Sequence, residues 1–111
     1  MESHEPWVLP DKAPVPEGLL DAGAAPSADR VADLVATGKP VLVTLALDAP
    51  EAPEGTEPDP GLLAAASVYA WLGVRAFRAP EGQLPALRQV LDMVASIEGT
   101  RPPALTRRGL A

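Results

Sequence analysis

Apolar positions along this chain fall into blocks whose spacing changes from one block to the next. In the first, Val31, Leu34 and Val35 recur at i, i+3 and i+4, which lines one face of a helix over about residues 28–37. Ser27 before it is a good N-cap, because its hydroxyl can accept from a free backbone N–H. Gly38 stands where a left-handed C-cap is wanted. The next block, Val41 to Leu47, follows Pro40 and is apolar at nearly every position. Continuous rather than alternating hydrophobicity reads as a strand buried on both faces, as in a parallel sheet, with Asp48 at its C-terminal end.

Asp59-Pro60 then opens a helix over about 60–72, an acidic cap followed by proline at the first helical position. Leu62, Leu63, Ala66, Tyr69, Ala70 and Leu72 make it apolar around much of its circumference, and Gly73 ends it. Residues 74–79 read as a short strand with Val74, Ala76 and Arg78 on one side and Arg75, Phe77 and Ala79 on the other. A last helix, about 84–98, carries the stripe Leu84, Leu87, Val90, Leu91, Val94 and Ile97. Arg88 and Asp92 sit four apart on its surface, where they can pair, and Gly99 stops it.

Between and before these blocks the pattern lapses. Residues 1–26 hold Pro6, Pro10, Pro14, Pro16 and Pro26, which rule out a long helix or a central strand. They read as an irregular arm with Trp7-Val8-Leu9 and Leu19-Leu20 as short apolar anchors. Residues 49–60 form a Pro/Glu-rich loop that has little to bury, and residues 100–111 form a basic tail. The expected order is helix, strand, helix, strand, helix, with the body at 27–99. Strands joined through a helix lie parallel with a right-handed crossover, so the fold class is α/β. Two parallel strands alone leave a sheet poorly covered. Either residues 1–26 add strands to it or another chain does.

Charge and composition narrow the chemistry. Lys+Arg 9 against Asp+Glu 15 gives a net charge of -6, which argues against a nucleic-acid partner. Cysteine is absent and His4 is the one histidine. Disulfides and thiolate metal sites are excluded, and a histidine-based metal site or nucleophilic triad is not expected. The acids Glu51, Glu54, Glu57 and Asp59 lack the glycine-punctuated spacing of a calcium loop and read as a solvated loop. No phosphate-cradling glycine loop occurs. Neither a metal nor another cofactor is expected. No apolar run approaches the roughly 20 residues that span a bilayer, and the N-terminus is not a signal sequence. The expected compartment is the cytoplasm, without a membrane partner.

Several of these segments resemble one family. Leu34-Val35-Ala36-Thr37-Gly38-Lys39-Pro40-Val41-Leu42-Val43 resembles the penultimate helix–strand unit of dihydropteroate synthases, the pterin-binding TIM barrels of folate synthesis. Gly73-Val74-Arg75-Ala76-Phe77-Arg78 resembles their final strand. Leu91-Asp92-Met93-Val94-Ala95-Ser96-Ile97 and Gly99-Thr100-Arg101-Pro102-Pro103 resemble the C-terminal helix and tail of actinobacterial members. The resemblance covers about residues 28–111 and implies a partial (β/α) barrel holding the last two strand–helix units. A closed barrel of this type takes about 250 residues, so the expectation is a chain that is not a complete enzyme of the family.

Departures from the family pattern are as informative. The resemblance implies a Ser-Arg-Lys motif after the penultimate strand, and here the positions read Ala46-Leu47-Asp48, an anion in place of the cation. It implies Arg-Val-His-Asp at the end of the last strand, with Arg and His holding an anionic phosphate. Here that reads Arg78-Ala79-Pro80-Glu81. Arg78 is the one candidate anion contact, and the competing reading is a strand-end arginine paired with Asp48 or Glu81. No catalytic residue is expected. Members of the family dimerise through their last helices, so the resemblance implies a pseudo-subunit that either self-associates or meets a full-length dihydropteroate synthase-like partner. Leu62, Tyr69, Trp71, Leu87 and Leu91 are the candidate interface residues. The alternative is a residual pterin- or phosphate-binding protein, or a complementing component of a folate-biosynthesis transferase.

Overall fold

The computed structural model describes residues 7–47 and 57–100, the last of them by its backbone alone. His4, Asp48, Glu51, Glu54 and the basic tail of the sequence reading lie outside the described residues. Four strands, β1 (Trp7–Pro10), β2 (Leu20–Ala24), β3 (Val41–Thr44) and β4 (Ala76–Ala79), form one sheet in the order β1-β4-β3-β2. All three pairings are parallel. Three helices, α1 (Ala28–Val35), α2 (Pro60–Leu72) and α3 (Leu84–Thr100), complete the fold, and a single 3-10 turn at Glu81–Gln83 leads into α3.

The α/β class and the parallel strands agree with the sequence reading, but residues 1–26 are not irregular throughout. Trp7–Pro10 and Leu20–Ala24 both enter the sheet. Proline is tolerated because each strand lies at an edge. Pro10 ends β1, where its missing N–H removes no central ladder bond. With β2 preceding α1, the chain holds three strand–helix units rather than two.

Local chemistry sets the element ends. Ser27 caps α1, its hydroxyl accepting from Arg30 N at 3.1 Å. Asp59 caps α2 and accepts from Leu62 N at 3.0 Å. The Asp59 N–H in turn donates to Gln83 Oε1 at 2.9 Å, and Gln83 Nε2 donates to the Glu57 carbonyl at 2.7 Å. The start of α2 is thereby tied to the turn before α3. At the other end of α2, Gly73 takes φ +112, and Val74 N donates back to the Tyr69 carbonyl at 3.0 Å. That cap uses Val74, so β4 begins at Ala76 and not at Val74. β3 is also shorter than its apolar run. Leu45 N still reaches the Arg78 carbonyl at 2.7 Å, but β4 stops before Pro80 and leaves Ala46 and Leu47 no ladder to join. α3 runs through Gly99, which keeps a helical backbone; the left-handed φ that would stop the helix is absent there.

Alternation divides the sheet into two faces. Val41, Val43, Phe77, Ala79 and Ala22 point toward the helices and form the core with Val31, Leu62, Ala66, Leu87 and Leu91. Phe77, Val31, Val41, Val43, Ala66 and Leu87 are wholly buried. The opposite face carries Asp21, Leu42, Thr44, Ala76 and Arg78, which neighbour one another in register. No described helix is long and apolar enough to cross a membrane.

Two stability measurements check this account. A Cβ added at Gly73 would lie 2.9 Å from Val35 Cγ1 while the backbone stays at φ +112. Gly73→Ala should therefore cost more than about 1 kcal/mol in a urea titration. Leu87→Ala should cost about 2–5 kcal/mol, the range for emptying a packed leucine site. A loss below about 1 kcal/mol in either case would contradict the packing described.

Candidate functional site

The single residue singled out for chemistry, Arg78, sits at the C-terminal end of β4. Its Nε donates to the Thr44 hydroxyl at 3.0 Å, and Nη1 donates to the Ala13 carbonyl at 2.9 Å. Nη2 faces the Asp21 carboxylate at 3.6 Å, the one ion pair among the described residues. The partners expected from sequence, Asp48 and Glu81, do not include this acid. Asp48 lies outside the described residues, and Glu81 does not pair with Arg78. Asp21 takes the place because β2 joins the sheet with Asp21 beside Leu42, on the face Arg78 occupies. The Arg78 side chain is 18% exposed and Asp21 41%. The pair is half-solvated and contributes on the order of 1 kcal/mol or less. Three groups of the chain itself thus surround the guanidinium. Arg88 and Asp92, the pair expected on α3, are not joined by an ion pair in this structure.

The interface candidates separate into two sets. Leu62, Leu87 and Leu91 are buried at 2%, 0% and 2%. They belong to the core between sheet and helices, and this corrects their reading as interface residues. For Leu87 and Leu91 the helical stripe is what places them there: the face of α3 that repeats Leu84, Leu87 and Leu91 is the face turned to the core. Tyr69 is half-buried and donates its hydroxyl to the Pro26 carbonyl at 2.7 Å, which fastens α2 to the start of α1. Trp71 alone of the five is exposed, at 45%.

Around Trp71 lies a surface that the sequence reading did not assemble. Val68 on α2 and Met93 and Ile97 on α3 are all exposed large hydrophobics. With Leu72 and Val90 they line a groove of about 520 Å3 between the two helices. Ile97 was expected within the buried stripe and lies half-exposed instead, because α3 continues past the core. The available signal was spacing. Val68 and Trp71 are three apart, and Met93 and Ile97 four apart, so each pair shares a helix face. Apolar clusters with polar rims mark contact surfaces more often than scattered exposed side chains do.

A second groove, of about 510 Å3, opens at the other end of the sheet and carries Trp7, Lys39 and Arg75. Helix α2 finishes there at its left-handed cap, Gly73, and the turn after α1, which is capped at Ala36 rather than at Gly38, ends there too. Helix-terminal carbonyls present partial negative charge, and the cations Lys39 and Arg75 border the same groove. That account needs no bound anion. No group of three potential metal ligands occurs among the described residues.

No family model matches the chain. Curated relatives called inactive dihydropteroate synthase 2 are 48% identical over 92 residues in Mycobacterium tuberculosis and 51% identical over 92 residues in Mycobacterium leprae. In both cases 74% of this chain is covered. The matched stretch is 26% of the first relative and 29% of the second, so the chain spans little more than a quarter of their length. The solved Mycobacterium tuberculosis protein Rv1207 is 45% identical, with a TM-score of 0.49, and the match covers 68% of this chain and 28% of that one. Over 74% of its length the chain is thus related to inactive dihydropteroate synthases, the family that its sequence resembles.

Proposed function

We propose that the chain is a non-catalytic, dihydropteroate synthase-like protein that works as an interaction or regulatory pseudo-subunit through α2 and α3. The observation that carries this reading is the apolar groove bordered by Val68, Trp71, Met93 and Ile97. Loss of the family's chemical groups supports the non-catalytic part. Ala46-Leu47-Asp48 stands where the resemblance puts a lysine motif, and Pro80 stands where it puts a histidine. The relatives' designation as inactive points the same way. The occupant of the groove is a second copy of the chain or a full-length dihydropteroate synthase-like protein. Trp71 is the natural anchor, because indole buries a large area at low entropic cost.

Residual binding of a pterin or phosphate at Arg78 is the weaker reading. An anion there would have to compete with the Asp21 carboxylate, the Thr44 hydroxyl and the Ala13 carbonyl.

The groove reading is tested by Trp71→Glu. An exposed side chain contributes little to the core, so the melting temperature should move by only a few degrees. Association should fall at least tenfold, read by sedimentation velocity for the chain alone and by co-purification with a full-length dihydropteroate synthase-like protein from the same host. Unchanged association in both assays would remove α2 and α3 as the contact surface.

A further inference from the structure

The face of the sheet opposite the helices has a cover of its own. Leu42 and Ala76 point away from the helical core, yet both are fully buried. Topology shows which described segment crosses that face. From β2 through β3 to β4 the chain advances in one direction with α1 and α2 on the Phe77 side. The connection from β1 to β2 returns in the opposite direction across the same parallel sheet. A right-handed connection in that sense must run over the other face. Residues 11–19 make this return. The Ala13 carbonyl lies at the C-terminal end of the strands on Arg78, and Leu19 lies at the N-terminal end beside Trp7 and Pro40.

The segment has no regular ladder of its own. Two local turns order its backbone, with Ala13 N donating to the Pro10 carbonyl and Leu19 N to the Pro16 carbonyl. Pro14 and Pro16 restrict its backbone and reduce the entropy lost on docking. Its polar tie to the sheet is Arg78, which holds the Ala13 carbonyl with Nη1 while Nε and Nη2 are oriented by Thr44 and Asp21.

We propose that residues 11–19 form an intramolecular strap over the inner face of the sheet, and that Arg78 is its clasp. The role assigned to Arg78 is positional. While the strap is down, the guanidinium and the apolar surface at Leu42 and Ala76 are occupied from within the chain. Lifting the strap uncovers both without disturbing the helical side of the core. Arg78, the residue with the strongest family resemblance to an anion contact, thus serves to close this face.

The chain has no cysteine, which allows a clean thiol-labelling test on the full chain. One reporter, Ala76→Cys, sits under the strap; the other, Ala66→Cys, sits on the core-facing side of α2, and both positions are fully buried. Labelling rates are compared with and without Arg78→Ala. The strap predicts that the thiol at position 76 labels roughly tenfold faster or more once the charged hydrogen bond is lost, while the thiol at position 66 keeps its rate. Equal acceleration at both positions would mean that Arg78 supports global stability, and no acceleration at 76 would mean that it holds no strap. Either result overturns the proposal. If Arg78→Ala does not fold, Thr44→Val removes only the acceptor that orients Nε and is read by the same two reporters.

Discussion

A parallel sheet must be covered on both faces, because its strands are apolar on both and its connections have to cross over them. The rest of this structure follows from how the chain meets that constraint. On one side α1, α2 and α3 cover Phe77, Val43 and Val41 with Val31, Leu62, Leu87 and Leu91. On the other side the described chain offers a proline-containing strap, tied by Arg78. The two faces are closed by different physics. The helical side rests on buried area and close packing. The strap side rests on restricted backbone and one charged side chain with three partners.

This division bears on function. Helix-side leucines are committed to the core and cannot meet a partner, however well their spacing suits an interface. What remains for contact is the rim of the α2–α3 pair that the core does not reach, where Val68, Trp71, Met93 and Ile97 gather. The end of β4, where α/β proteins tend to place ligands, is taken by Asp21, Thr44 and Ala13. The strands and helices are committed to packing, while groups of the chain's own surround the Arg78 guanidinium.

The N-terminal segment shows why a residue pattern can mislead. Its prolines disfavour central strands and long helices, and no such element forms among its described residues. Edge strands of four and five residues are compatible with them, since an edge strand needs partners on one side only. Whether such a short apolar run pairs depends on a neighbour that lies far away in sequence. Trp7 meets Ala76, and Leu20 meets Val41. Nothing local to residues 7–10 or 20–24 announces those partners.

By itself the sequence determined the elements whose signals are local. Ser27 and Asp59 mark helix starts, Gly73 marks a left-handed cap, and the stripe from Leu84 to Leu91 marks a helix with one apolar face; each signal is carried by residues a few positions apart. The continuous run at Val41 to Val43 also determined that the sheet would be parallel and covered on both sides. Only the tertiary structure decided the strand order β1-β4-β3-β2, the pairing of Arg78 with Asp21, and the division between buried Leu62, Leu87 and Leu91 and exposed Trp71 and Ile97. Those outcomes depend on which distant segments come to lie side by side. Helical spacing can say that side chains share a face, but the neighbour that face meets is chosen by the packing of the whole chain.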